Sequence, residues 1–374
     1  MMQRRRAAQA PVDGVLVLDK PVGLSSNAAL QQARRLLGAR KAGHGGTLDP
    51  LASGVLPVLF GEATKFAADL LDADKTYEAT LALGVTTDTG DAEGVVLAHR
   101  AVEVDAAAVR AACAAFVGEI EQTPPMHSAL KRDGRPLYAY AREGVVLERA
   151  SRRVRVHALD ALRIDLAAAP PQVTIRVQCS KGTYVRTLAE DIGARLGCGA
   201  HLAALRRVAA GPLDVAQAVT LHALEALAPE ARASKLLPLD ALLQTLPRID
   251  LPEPEALRLS RGQRLALPAP VVAAALGPAR PAGADASGPD SSHAGARRVR
   301  VYDAQGLIGL AGLEPSGRLA PLRLVVRPAA APPPAPLAAA RALHPSAAAP
   351  QVPAAAPDTP TDTRASRPAR ESQS

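Results

Sequence analysis

Apolar residues along this chain recur with a period of two in some stretches and near 3.6 in others. Regular patterning runs from Gly14 to about Leu246. Ser25 or Ser26 is placed to cap a helix through NAALQQARRLLGAR. A glycine-rich loop comes next, then the apolar run GVLPVLFG. EATKFAADLL is spaced as a helix, KTYEATLALG alternates as a strand, and TTDTGDAEG reads as a polar loop. VDAAAVRAACAAFVGEI predicts one helix, ended by Pro124 and Pro125. RRVRVHALDALRID and QVTIRVQCS predict strands, and TYVRTLAEDIGARLG a helix closed by Gly197. Strands and helices interleave without regular βαβ spacing, so the expected fold class is α+β, a mixed sheet with flanking helices.

A second unit is expected from about Pro247. Its short runs ALRLSRGQRLAL, RRVRVYD, LIGLAGL and LAPLRLVV, separated by Gly and Pro, predict a small β-barrel, with 268–296 as a flexible insertion. Beyond residue 327 the chain changes again: eleven of its 33 prolines fall in 328–374, without an aromatic or an isoleucine. Such a segment buries too little apolar area to offset its ordering entropy, so 328–374 is expected to be a disordered tail. Residues 1–12 read as a flexible, basic N-terminus.

The composition narrows this picture. Of 374 residues, 48% are hydrophobic but only 2% aromatic, so the core rests on Leu, Val and Ala. Lys and Arg number 44 against 36 acidic residues, a formal +8, which favours a polyanionic partner. The three cysteines form no C-x-x-C pair, which argues against a disulfide scaffold or a four-cysteine zinc site and fits a reducing cytoplasm. No P-loop, dinucleotide-binding fingerprint or metal-spaced His/Cys set is present, and no apolar run approaches the length of a membrane span.

Three segments carry candidate chemistry. In GHGGTLDPLASGVL, Gly43 to Leu56, glycines surround His44, and the Asp49 carboxylate leaves a tight turn among apolar neighbours. An Asp-Pro pair is usually only a turn, but a buried carboxylate needs a compensating cation. Arg186 in CSKGTYVRTLAEDIG is a candidate, with Tyr184 expected on the same face of a strand leading into the helix. Pairing of Arg186 with Glu190 at i,i+4 competes with that reading. Tyr77 in its strand is expected to point inward. The third segment, TPPMHSALKRDGRPLYAYAREG (123–144), combines Lys131, Arg132, Arg135 and Arg142 with Tyr138 and Tyr140 around an Asp133-Gly134 turn. Cations for phosphates beside aromatics for bases suit RNA, and Arg152, Arg153, Arg155, Arg206 and Arg207 extend the charge.

Five segments together resemble the bacterial tRNA pseudouridine synthase B family: DKPVGLSSN (19–27), GHGGTLDPLASGVLPVLFGEATK (43–65), DKTYEATLALGVTTDTGDAEG (74–94), 123–144, and CSKGTYVRTLAEDIGARLGCGAHLAALRRV (179–208). They stand in the family's order and cover roughly 13–246. The resemblance implies a pseudouridine-synthase fold with a largely antiparallel mixed sheet over 13–246, an RNA-gripping insertion at 123–152, and a PUA-like RNA-binding domain at 247–327. It implies an isomerase that converts the T-loop uridine at tRNA position 55 to pseudouridine, with no cofactor and no metal. Asp49 is then the catalytic aspartate, Tyr77 stacks on the target base, and Arg186 pairs with Asp49. His44 helps to open the T-loop, Tyr184 and Leu205 line the pocket, and Lys20 lies near the cleft. Lys131, Arg132, Arg135, Arg142, Arg206 and Arg207 are the expected RNA contacts.

The partner implied is the tRNA T-arm, met by a cytoplasmic monomer without a membrane or an obligatory protein partner. Three other readings stand beside it: a tRNA-folding chaperone without essential catalysis, a pseudouridine synthase for another RNA, and a small-molecule α/β enzyme whose charge is incidental. Attack of Asp49 at C1′, base action at C2′ and addition at C6 all remain open as mechanisms.

Overall fold

The computed structural model describes residues 11–128, 130–277 and 295–327. The readings of 1–12 as flexible (Pro11 and Val12 apart, Val12 packing on the core), of 328–374 as a disordered tail and of most of 268–296 as flexible therefore fall outside the described residues. Contacts group the chain up to Val326 into one unit.

In chain order, β1 (Gly14–Lys20), α1 (Ser26–Leu36), β2 (Ala42–His44), β3 (Ala52–Phe60), α2 (Ala67–Asp72) and β4 (Lys75–Leu83) are followed by the hairpin β5 (Val85–Thr87) and β6 (Val96–His99). Then come α3 (Ala106–Ala114), β7 (Gly118–Gln122), the small hairpin β8 (Lys131–Arg132) and β9 (Arg135–Pro136), and α4 (Leu137–Ala141). The long strands β10 (Arg152–Asp165) and β11 (Gln172–Cys179) lead to α5 (Val185–Arg195), β12 (Ala200–Ala210), β13 (Leu213–Asp214) and β14 (Val219–Thr220). After α6 (Leu221–Ala226) and α7 (Pro229–Arg232), the chain adds β15 (Arg248–Asp250), α8 (Glu253–Ser260), β16 (Leu265–Ala266), α9 (Ala269–Leu276), β17 (Arg297–Asp303), β18 (Gly306–Leu313) and β19 (Arg318–Leu324).

The main sheet runs β14-β1-β3-β12-β4-β11-β10-β7, with β13 against β12 and β2 against β3. Only β1–β14 and β3–β12 are parallel, so the expected mixed, largely antiparallel sheet with flanking helices is what forms. Its strands alternate where one face meets solvent: in β11, Val173, Ile175 and Val177 are buried, and Arg176 between them is exposed. Central β3, covered on both faces, is a near-continuous apolar run. Two apolar layers lie on the sheet. One packs Leu188, Ala189 and Ile192 of α5 on Leu81, Ile175 and Val177. The other packs Ala29, Leu30 and Ala33 of α1 on Leu16, Leu18, Val58 and Phe60. Burying each large aliphatic or aromatic side chain contributes about 1.5–3 kcal/mol, so this lattice holds β3, β4 and β12 firmly. Tyr77 and Leu205 touch both layers, at their junction.

A five-stranded sheet, β15-β17-β18-β19-β16, closes over its own apolar cluster. Tyr302, Leu307 and Leu310 of this sheet also pack with Val15, Phe66 and Leu70 beside the main sheet, and Arg298 meets Asp69 at 2.6 Å.

Three expectations are corrected. VDAAAVRAACAAFVGEI is not one helix. It ends at Ala114, Gly118 takes φ 113°, and Gly118–Gln122 becomes an edge strand on β10 because Ile120 finds apolar cover there. ALRLS is the helix α8, not a strand; Pro252, Glu253 and Glu255 favour a helix start, and Ala256 and Leu259, three apart, are its buried face. Residues 269–276, read as the start of a flexible insertion, form α9 with Val272 buried. Among the described residues no helix is long and apolar enough to cross a membrane, and the three cysteines are free and buried.

Candidate functional site

The Gly43–Leu56 segment enters as β2, turns at Thr47–Leu51 and leaves as β3. The turn is held from both sides. Ser26 Oγ donates to the Leu48 carbonyl (2.8 Å) and accepts from the Leu48 N–H (2.7 Å), while Gly23 N–H donates to the Pro50 carbonyl (2.8 Å). Ser25 and Ser26 thus divide the labour left open by the sequence: Ser25 caps α1 through the Ala28 N–H, and Ser26 fixes the residue before Asp49. Lys20, wholly buried, donates from Nζ to the carbonyls of Pro21 (2.8 Å) and Leu24 (2.6 Å), tightening the turn that carries Gly23. Burial brings its ammonium down to about 8, against the opposing pull of Asp49.

Asp49 itself was expected to be buried. Its side chain is 44% exposed: Oδ2 meets Arg186 Nη2 at 3.1 Å, and the rest of the carboxylate borders a cavity. A carboxylate with an open, hydrated side needs less internal compensation. Arg186 is the buried partner, its side chain 7% exposed. Its fork also reaches Asp91 Oδ2 (3.3 Å) and the carbonyls of Thr89 (3.3 Å) and His127 (2.6 Å). The guanidinium therefore turns to Asp49 and Asp91, not along the helix to Glu190. The expectation that Tyr184 and Arg186 share a strand face is also corrected. Tyr184 is the N-cap residue of α5 and Arg186 lies inside its first turn, where two residues differ by about 200°. The Tyr184 ring sits under Arg152, 5.0 Å from centroid to Cζ, and its backbone is clasped by Gln122.

Asp91 is a second, buried carboxylate, 5% exposed, that the sequence reading quoted within TTDTGDAEG but did not single out. Its Oδ1 accepts from Thr89 Oγ1 (2.6 Å) and from the Glu93 N–H (3.1 Å), and its carbonyl accepts from Thr87 Oγ1 (2.7 Å). The threonines and the glycine of that loop were the available signal, because they form the tight turn that aims a carboxylate inward. Glu93 also borders the cavity. Desolvation and the neighbouring Asp91 and Asp49 push its carboxyl upward.

The cavity has a volume of about 400 Å³. Thr47, Leu48, Asp49 and Pro50 form one wall, Thr89, Asp91 and Glu93 a second, and His127, Ser128, Tyr138, Arg142 and Arg186 a third. The basic segment thus closes over the aspartate. Ser128 Oγ is buried there without a hydrogen-bond partner. Of the expected cations of this segment, Arg142 borders the cavity and the others lie on the outer side. Lys131 and Arg132 are exposed on the β8–β9 hairpin, Arg135 stacks on Tyr140 (4.7 Å) and pairs with Glu143, and Arg142 lies over Tyr138 (5.4 Å).

Tyr77 and Leu205 stand on neighbouring strands, Leu205 opposite Ala79 and Tyr77 opposite Arg207. Tyr77 is half-buried, and burial raises its phenol. His44, on β2, keeps Nδ1 buried and unpartnered, and burial together with the Arg207 charge holds its imidazole below the usual range. The Arg206–Arg207 pair was expected on the RNA surface. Arg206 is partly exposed but chelated by Asp19 at 3.0 and 2.7 Å. Arg207 is only 1% exposed, so it offers no surface charge: successive strand residues point to opposite faces, and this one points inward.

Two family models match the chain: TruB family pseudouridylate synthase (N terminal domain) over residues 34–185, and tRNA pseudouridylate synthase B C-terminal domain over 186–246. A protein of Ralstonia nicotianae described as tRNA pseudouridine synthase B is 54% identical over 328 residues, covering 86% of this chain and 97% of that one. A Burkholderia mallei protein of the same description is 58% identical over 324 residues, again covering 86% and 97%. Among solved structures, a chain of a Cbf5-Nop10-Gar1 complex superposes with TM-score 0.60 at 26% identity, covering 85% of this chain and 84% of that one. The arrangement around Asp49 is therefore met in a chain that belongs to the TruB family of pseudouridylate synthases.

Proposed function

We propose that this protein isomerises the uridine at position 55 in the tRNA T-loop to pseudouridine, with Asp49 as the catalytic carboxylate. The observation that carries this reading is the Asp49 turn. It is fixed at Leu48 and Pro50, held by Arg186 through one oxygen, and open to a cavity rimmed by the basic segment. Relatives named as tRNA pseudouridine synthases over nearly their whole length supply the substrate class.

The reaction breaks C1′–N1, turns the uracil and joins C5 to C1′; the C5 proton leaves and N1 gains one, so the product is an isomer. Two routes use the open oxygen of Asp49. It attacks C1′ as N1 departs, or it removes the proton at C2′. In either, Arg186 orients the carboxylate, while its other side is paired with buried Asp91. The target base must leave its stack first, at a cost of a few kcal/mol. Stacking on Tyr77 returns about 1–3 kcal/mol, and phosphate contacts from Lys131 and Arg132 add to it. His44, its imidazole held below the usual range by burial, begins the Asp49 loop. We assign 13–246 as the catalytic domain, with 123–152 as the segment that grips RNA, and 247–327 as a second RNA-binding domain.

The test is tritium release from tRNA labelled at uridine C5, with a pseudouridine map of the product. Wild type should release tritium and mark position 55 alone. Asp49→Asn should bind the same tRNA and release tritium about 10³-fold more slowly. A wild-type map lacking pseudouridine at 55 would exclude the assignment.

A further inference from the structure

Arg207 is a fully buried cation without an acidic partner among the described residues. An arginine in such a place is costly unless its donors are taken up. They are taken up by backbone. Nε donates to the Val55 carbonyl at 2.6 Å and Nη2 to the Gly46 carbonyl at 3.2 Å. Gly46 lies three residues before Asp49 and Val55 six after it, so a single guanidinium spans the two limbs of the loop that presents the carboxylate. The glycines fit this. Gly46 has φ 103°, and a Cβ there would stand 3.4 Å from Nη1. A Cβ on Gly54 would meet the Arg207 carbonyl at 2.2 Å, so only glycine lets β3 come this close to β12. On its other side Arg207 is directly opposite Tyr77 across the β12–β4 ladder, which places both side chains on one face.

We propose that Arg207 is a positioning residue that sets the Asp49 loop and the Tyr77 ring relative to one another, so that the carboxylate and the stacking surface meet the same flipped nucleotide. It touches neither substrate nor solvent. The inference rests on the proposed function, because Asp49 and Tyr77 act together only there. Lysine cannot replace it: an ammonium is a point donor, whereas the Val55 and Gly46 carbonyls are met by two nitrogens of one planar fork.

The test compares Arg207→Lys and Arg207→Met with wild type in single-turnover tritium release, in tRNA affinity across a salt series, and in thermal unfolding. The expected result for Arg207→Lys is a protein that melts as one transition, binds tRNA with wild-type affinity and salt slope, and turns over about 100-fold more slowly, the cost of a misplacement near 1 Å. Arg207→Met should fall further. Combined with Tyr77→Phe, Arg207→Lys should lose less than the product of the two single effects, because cross-strand neighbours on one face are coupled. A wild-type rate in folded Arg207→Lys overturns the proposal. So does weakened binding with a shallower salt slope, which would make Arg207 a phosphate contact. Should neither variant fold, the wild-type protein decides: the Arg207 Nε–H must be protected from solvent exchange in 15N-arginine spectra of the free and tRNA-bound protein, and rapid exchange rejects the inference. Failure of the proposed function is distinct, since wild type itself would then be inactive on tRNA.

Discussion

The inner wall of the site and the segment that covers it both use arginine, in opposite ways. Arg186 and Arg207 are buried, and their ion pairs and hydrogen bonds go to carboxylates and backbone carbonyls at fixed places. Lys131, Arg132 and Arg142 lie on a short hairpin and a one-turn helix, where the arginines rest on tyrosine faces or reach single carbonyls. Buried cations with several partners cannot move without leaving charge or carbonyls unsatisfied, so they suit chemistry that needs sub-ångström placement. Exposed cations on a small element adapt to a backbone of phosphates and lose strength with salt. The molecule separates geometry from adhesion by burial.

Mutations should keep that separation or refute it. The largest effect is expected from Asp49→Asn: a rate lower by about 10³-fold, with tRNA affinity unchanged in filter binding. Arg186→Lys should cost about 10²-fold in single-turnover rate, since one ammonium cannot reach Asp49, Asp91 and two carbonyls at once. A loss confined to affinity would place Arg186 with the outer cations instead. The double change Lys131→Ala and Arg132→Ala should act the other way round. Affinity should fall about tenfold near physiological salt, and the log–log salt slope should flatten by up to about 2, while turnover at saturating tRNA stays as in wild type.

The smallest effect expected is on stability. Lys20 has a native pKa near 8 against 10.5 when unfolded. Between those values the unfolded chain binds more protons at this site, so native stability gains as pH rises through the window and the gain is complete above it. Relative to Lys20→Met, wild type should gain up to about 1.4 kcal/mol per pH unit between pH 8 and 10.5 in urea unfolding. A flat difference would mean that the two carbonyls on Nζ cancel the burial penalty.

How far the site could be read from the chain varies with the residue. Asp49 stood out because an acid between Leu48 and Pro50 amid glycines is chemically odd, and Arg186 because an arginine is the natural partner for it. Asp91 did not stand out, since acids in a polar loop are ordinary until the fold turns one inward. Arg207 was misread for the same reason. In sequence it is half of a basic pair, and only the register of β12 against β4 shows that one arginine faces out and the next faces in. Among the elements, α1, β10, β11 and α5 followed from their own periodicity. β7 and α8 did not: their sequences accept helix or strand, and the edge of β10 and the small second core decided between them.

By itself the sequence determined which stretches are apolar on one face, where the tight glycine turns fall, that cations outnumber acids, and which acid sits in an unusual place. These are local properties, set by one residue and its near neighbours. The tertiary structure alone decided which charges are buried, which are free, and which remote carbonyls complete them. Burial and long-range pairing depend on strands far apart in the chain coming together, and a one-residue change of register reverses them.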